Sequence, residues 1–341
     1  MLEIDGSYGE GGGQILRNAV ALSTVLKKPV KITKIRANRP NPGIKAQHYV
    51  AIKGIAELCN AEVSNLEIGS SKIEFKPGEI KGGRYKFEIG TAGSITLAFQ
   101  ACILACANLN EPVTISLTGG TDVKWSPSWD YFEHVFVPIL KKMGVIVFPK
   151  LILRGYYPKG GGEAIITIKP SDKIKPLKLK DENEFTNVSG KINISNLPDH
   201  IITRMRHATI KAFLKNNIMT SINVDHTTSL SSGVGITLWT QTKGAILGNT
   251  MLGEKGVSAE EIGKNAANNL IKEIESEVNL DTYAFDQIIP YMVLAKKHGE
   301  SSCKIRELSS HSSTNMWLLQ QLFDVNFEAI HNEKNFSIKV S

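Results

Sequence analysis

A chain of 341 residues, 42% hydrophobic and 21% charged, has the composition of a folded globular protein with room for more than one core. No apolar run reaches the ~18 residues that a membrane-spanning helix needs, and the opening MLEIDGSYGE, with early acids and no apolar centre, predicts no secretory leader. A formal net charge of +7 suits a polyanionic partner such as RNA.

The first elements read as a Gly-containing turn and an apolar helix, GGGQILRNAVALSTVL. A strand, PVKITKI, follows, then the loop RANRPNPG, then a helix and strand within IKAQHYVAIKGIAELCNAEV. The same order returns at GTAGSITLAFQACILACANL, PVTISL, TGGTDVKWSPS and WDYFEHVFVPILKKMGVIV. It returns again at TYAFDQIIPYMVLAKKH, SCKIREL, SSHSS and TNMWLLQQLFDVNFEAI. Helical periodicity and β-branched runs support each assignment, so the chain is expected to be α/β (α+β), built on a repeated βαβαββ unit.

The expected units span about 1–82, 83–175 and 278–341 and form one large domain, 1–181 with 278–341. After the connector KPSDKIKPLKLK, residues 182–277 break the pattern. They carry a strand, KINISNL, a helix, HIITRMRHATIKAFLKN, strands around TSINVDHTT and GITLWTQT, and a polar helix, SAEEIGKNAANNLIKEIESE. The simplest reading is a smaller α/β domain inserted between the second and third units. Cys59, Cys102, Cys106 and Cys303 lack the spacing of a zinc site and read as buried thiols in a reducing cytoplasm.

Four segments could carry chemistry. In SYGEGGGQILR, clustered glycines before a helix let backbone N–H groups approach an anion. Glu10, Gln14 and Arg17 would share a helical face if the helix begins that early, and an acid beside an arginine suits a metal-bound phosphate. The bland alternative is a tight turn with a surface ion pair. Gln14 replaces the last glycine of a dinucleotide fingerprint, and no phosphate-loop motif with lysine occurs. In IRANRPNPGIKAQH, Arg36 and Arg39 flank a turn stiffened by Pro40, Pro42 and Gly43. They form either a phosphate clamp or ordinary surface charge.

Tyr283, Asp286 and Gln287 would face one way from a helix, either as a base and ribose site or as a first turn with a favourable acid. In SSHSSTN, His311 sits in a hydroxyl-rich loop before a helix expected to be capped by Ser313 or Thr314. A neutral imidazole is a competent nucleophile, and a helix N-terminus would disfavour its protonation. By composition alone His48, His134, His207 and His298 compete with it. Eight tyrosines and four tryptophans are too few to argue for an aromatic stacking surface.

In order, GEGGGQILR, IRANRPNPGIKAQH, the GTAGS helix with Gln100, RGYYPKGGG at 154–162, YAFDQ and SSHSSTN resemble the RNA 3'-terminal phosphate cyclase family over nearly the whole chain. The resemblance implies three βαβαββ units, like those of enolpyruvate transferases, plus a smaller inserted α/β domain. It implies an enzyme that uses ATP and Mg2+ or Mn2+ to turn an RNA 3'-phosphate into a 2',3'-cyclic phosphate through a histidine–AMP intermediate. By position, His311 is then the nucleophile and Glu10 the metal ligand. Tyr283 and Pro127 sandwich the adenine, with Asp286 and Gln287 near the nucleoside. Arg17, Arg36, Arg39, Gln47 and Gln100 line the phosphate and RNA-end site, Gln100 counting also among the nucleotide-binding residues.

The resemblance implies no role for the inserted residues in ATP binding and leaves self-association open. A non-catalytic relative acting in ribosome assembly is the alternative, and the presence of His311 argues against it. An enolpyruvate transferase would need six units where this chain shows three.

Overall fold

The computed structural model describes residues 1–171, 173–179 and 185–341. The first unit runs β1 (Leu2–Asp5), α1 (Gly13–Leu26), β2 (Val30–Thr33), α2 (Ala46–Cys59), β3 (Glu62–Ser64) and β4 (Ile73–Lys76). Its sheet has the order β1-β2-β4-β3, with β1 and β2 parallel and the other pairs antiparallel. The second unit repeats this plan. It runs β5 (Gly83–Glu88), α3 (Ile95–Ala105), β6 (Val113–Gly119), α4 (Trp129–Tyr131), a π-helical turn, α5 (Val137–Lys142), β7 (Val147–Leu153) and β8 (Gly162–Ile168). The strand order is β5-β6-β8-β7. In both units the first parallel pair is linked by one buried helix, which is the βαβ crossover that the repeats predict.

The inserted region runs β9 (Asn187–Ser195), α6 (His200–Leu214), β10 (Met219–Thr227), β11 (Gly233–Gln241), β12 (Ile246–Leu252) and α7 (Ala259–Glu275). Its sheet has the order β10-β9-β11-β12. Ser258 caps α7, and Glu260 and Glu261 follow in the first turn, where an N-terminal dipole favours acids. The third unit runs α8 (Thr282–Ala295), β13 (Ser301–Ile305), α9 (Ser310–Leu322), β14 (Phe327–His331) and β15 (Phe336–Val340), with sheet order β13-β15-β14.

The place of the third unit's first strand is taken by the segment ahead of the insertion. Lys178 forms a parallel bridge with Ser302, and Ser302 N donates to Leu177 O at 2.8 Å. The extra residues therefore enter after the first strand position of the third unit. The boundary expected at 181/182 lies outside the described residues.

One hydrophobic cluster joins all three units, with Leu16, Ile52, Phe99, Phe132, Phe285 and Leu318 among its members. A second is confined to residues between Val188 and Val278 and packs α6 and α7 on the inserted sheet. Each fully buried Phe or Leu contributes roughly 1.5–3 kcal/mol. Helix α3, ITLAFQACILA, is apolar nearly all round and sits against α1, α2 and α8. Helix α9 packs on α1 and α8, so the starts of the first and third units' helices meet.

The RGYYPKGGG segment joins the two cores. Arg154 is 1% exposed and pairs with Asp122 at 3.0 Å, Asp130 at 2.9 Å and, on β10, Asp225 at 2.7 Å. Asn193 of β9 donates to Asp122 Oδ1 and Asp130 Oδ2. The four cysteines are free and buried. Among the described residues no helix is long and apolar enough to cross a membrane.

Candidate active site

The glycine-rich loop is shaped by its backbone. Asp5 accepts hydrogen bonds from Ser7 N at 2.9 Å and Ser7 Oγ at 2.6 Å, which turn the chain after β1. Those bonds, then Lys34, lower the Asp5 carboxyl to about 2. Gly9 has a φ of +55°, in the left-handed region that favours glycine. A Cβ there would stand 2.4 Å from Thr314 Oγ1, so the loop lies directly on the first turns of α9. Glu10 N donates to the same hydroxyl at 3.3 Å. Helix α1 starts at Gly13, so Glu10 is a loop residue ahead of it and does not share a helical face with Gln14 and Arg17.

Helix α9 begins earlier than the sequence suggests. Ser309, rather than Ser313 or Thr314, is the cap, and it accepts from Ser312 N at 2.9 Å. Asp286 fixes that cap by accepting from Ser309 Oγ at 2.7 Å and from Ser312 Oγ. Asn315 donates to the Asp286 carbonyl at 2.9 Å, and Asn18 of α1 donates to Asn315 Oδ1 at 3.0 Å. His311 is therefore the second residue of a helix clamped between α1 and α8, not a loop residue.

His311 Nδ1 lies 2.5 Å from Glu10 Oε2 and 3.2 Å from Gln14 Oε1. Both partners accept, so in the neutral imidazole Nδ1 carries the proton and Nε2 the lone pair. The Glu10 hydrogen bond raises the imidazole pKa, against burial, with added help from the charges of Glu10 and Asp286. This reverses the expectation from the helix N-terminus. A helix dipole is worth about 0.3–1 kcal/mol, and a carboxylate in direct contact outweighs it.

Burial pushes the Glu10 carboxyl up, but His311 and Arg39 hold it below the ordinary value. Arg39 donates to Glu10 Oε1. Glu10 Oε2 is buried with His311 Nδ1 as its near neighbour. A carboxylate is a hard oxygen donor, the kind a divalent cation with phosphate oxygens in its shell takes.

Positive charge gathers around this pair. Burial, then Arg36, lowers Arg17 to about 10, and among the described residues no carboxylate comes within ion-pair distance of it. Arg36 sits at a φ of +54° and donates through Nη1 to Asn41 O at 2.7 Å and Gly43 O at 3.3 Å. Half of its fork thus braces its own loop. His48 is buried beside them. Burial, then Arg17, Arg36 and Lys45, hold its pKa well below the usual range, so it is neutral.

His134 is stacked on Trp239 with ring centroids 4.1 Å apart, and His207 and His298 are exposed. Of the five histidines weighed from sequence, His311 alone is partly open beside both a carboxylate and the arginines.

A second group lies on α3 and α8. Gln100 Nε2 donates to Gln287 Oε1, and Gln287 Nε2 donates to Tyr283 O at 2.8 Å. The three residues expected to face one way from α8 part company. Asp286 is buried toward α9, Gln287 turns to Gln100, and Tyr283 is 59% exposed. Asp281, unremarked in the sequence, caps α8 through Tyr283 N and Ala284 N. It also accepts from Tyr131 O–H at 2.6 Å, which brings the segment after Pro127 to the start of α8. The Pro127 carbonyl accepts from Thr96 Oγ1 at 2.8 Å. Gln47 spends its carbonyl oxygen on Ser94 N at 3.0 Å, at the start of α3.

Residues 8–329 match the family described as RNA 3'-terminal phosphate cyclase. The chain belongs to the RNA 3'-terminal phosphate cyclase family. It is similar to the RNA 3'-terminal phosphate cyclase of Methanosarcina barkeri, with 44% identity over 341 residues and 100% of both chains covered. It is 42% identical to that of Pyrococcus furiosus over 328 residues, 96% of this chain and 95% of the relative. With that of Nitrosospira multiformis it shares 40% over 331 residues, 96% and 93%.

In this cyclase-family chain, sequence reading missed Asn18, Ser309, Ser312 and Asn315. A signal was available for two of them. Asn18 follows Gln14 by four residues and Asn315 follows His311 by four, the spacing that stacks side chains along a helix.

Proposed function

We propose that the chain converts an RNA 3'-phosphate end to a 2',3'-cyclic phosphodiester at the expense of ATP, through AMP held covalently on His311. The observation that carries the reading is the His311 imidazole, fixed at Nδ1 by Glu10 and Gln14 beside Arg17, Arg36 and Arg39. With the Nδ1 proton donated there, the Nε2 lone pair attacks the α-phosphorus of ATP. The bond to the β-phosphate oxygen breaks and pyrophosphate leaves.

An oxygen of the RNA 3'-phosphate then attacks the same phosphorus and the P–N bond breaks, freeing the histidine. The 2'-hydroxyl, losing its proton, attacks the activated 3'-phosphorus and AMP departs. This last step is intramolecular, so holding the end still does much of the work.

Arg17 suits the transferred phosphate because no carboxylate competes for its fork. Arg39 and the free side of the Arg36 guanidinium would bind the RNA-end phosphate. The Gln47 amide N–H group, left over after its bond to Ser94, would do the same. Tyr283, with Pro127, would hold the adenine. Gln100 and Gln287 would meet the nucleoside, while Asp286 chiefly sets the start of α9. A Mg2+ or Mn2+ ion on Glu10 would offset phosphate charge. Free, buried cysteines support a reducing, cytoplasmic setting for this RNA-processing ligase.

The test is a short RNA with a 3'-phosphate, incubated with ATP and Mg2+ or Mn2+. Ends that become resistant to phosphatase are expected. Ends that stay sensitive with either metal contradict the reading.

A further inference from the structure

The turn that presents Glu10 also presents an aromatic ring. Tyr8 stacks on Trp317 of α9 with centroids 3.9 Å apart and planes 10° from parallel, and Tyr8 is 44% exposed. Trp317 is partly buried against the main core, so Tyr8 is the outer member of the pair. Gly11 N donates to Tyr8 O at 2.9 Å and Asn38 Nδ2 to Ser7 O at 3.0 Å. The first bond tightens the turn, and the second ties it to the loop of Arg36 and Arg39.

The position on α9 is informative. At 3.6 residues per turn, Thr314 and Trp317 form one flank of the helix and Asn315 and Ser312 the other, with His311 between them. The second flank meets α8, where Asp286 sits. The first flank meets the glycine loop and, through it, the arginines. Trp317 is about 9 Å along the axis from His311, within reach of nucleotides next to a phosphate held at the histidine. An aromatic face beside a cationic loop is how single-stranded nucleic acid is gripped without sequence preference.

We propose that Tyr8, backed by Trp317, is a stacking platform for an unpaired nucleobase at the 3' end of the RNA. This rests on the cyclase reading above and adds a base contact to it. Equilibrium binding of fluorescent, 3'-phosphorylated single-stranded RNA tests it, with intact RNA and RNA abasic at the terminal or penultimate nucleotide. The proteins are the parent, Tyr8→Leu and Tyr8→Phe, each checked by melting temperature.

Tyr8→Leu keeps an apolar cover on Trp317 but removes the flat face. It should weaken binding of intact RNA about five- to 150-fold, which corresponds to about 1–3 kcal/mol. Tyr8→Phe should stay within about twofold of the parent. One abasic position should weaken the parent by a similar factor and Tyr8→Leu scarcely further. The proposal is overturned if Tyr8→Leu binds like the parent, or if the abasic loss is equally large in the parent and the leucine variant. A parent that makes phosphatase-resistant ends on abasic and intact RNA with equal KM sinks the platform and leaves the cyclase reading standing. A parent that neither prefers a 3'-phosphate over a 3'-hydroxyl nor makes a resistant end sinks both.

Discussion

Glu10 of the first unit and His311 of the third meet side chain to side chain, Oε2 to Nδ1, at 2.5 Å. The contact depends on the backbone of the glycine loop lying flat on α9, which the hydroxyl of Thr314 enforces. Loop conformation and the setting of the imidazole are thus one structural property.

Gly9→Ala should therefore damage chemistry more than fold. The left-handed backbone costs an alanine roughly 1–2 kcal/mol, and its methyl would collide with Thr314 Oγ1. Lifting the loop moves Glu10 from His311. Single-turnover self-adenylation should fall at least about tenfold, since about 1.4 kcal/mol is a factor of ten. Parent-rate adenylation by a correctly folded Gly9→Ala would contradict this.

Arg154→Leu should destabilise strongly. It strands buried Asp122 without its cation and leaves Asp130 only Lys191, and breaking a buried pair from one side costs about 3–5 kcal/mol. Asp225→Asn should cost less, because the Asp225 side chain is 37% exposed. Urea denaturation measures both. Equal, small effects would show that Arg154 does not join the two cores as described.

Much of the fold is legible because several helices carry an apolar period, α3 is apolar nearly all round, and three copies of one order reinforce each other. Strand β12, ILGNTML, was not, since its Gly and Asn interrupt the β-branched pattern. The first strand position of the third unit was hidden because Lys178 and Ser302 are separated by the whole insertion. At the site, the residue types were readable but their partners were not. Nothing local tells that Glu10 faces His311, that Asp286 turns toward Ser312, or that Arg154 meets Asp225. Composition counts rings but does not place them, and Tyr8 meets Trp317 only because α9 lies under the glycine loop.

Asp281 gives the fold a pH signature. Burial, then Glu273, raises its carboxyl from 3.8 to about 7. A carboxyl raised on folding holds its proton more tightly in the native state. Its contribution to stability is complete below about pH 4 and is lost as pH rises through about 7. Asparagine can still cap α8 but cannot titrate. From pH 5 to pH 8 the parent's melting temperature should fall more steeply than that of Asp281→Asn. Identical slopes would contradict the raised carboxyl.

The central claim is that His311 carries AMP. Its most direct test is incubation with ATP labelled at the α-phosphate, without RNA, followed by denaturing electrophoresis of the parent and His311→Asn. Asparagine keeps a polar side chain that can still face Glu10 and Gln14, but it has no nucleophilic ring nitrogen. The account predicts label on the parent, released by acid as expected for a P–N bond, and none on His311→Asn. Label retained by His311→Asn at the parent level would place the nucleophile elsewhere and contradict the account.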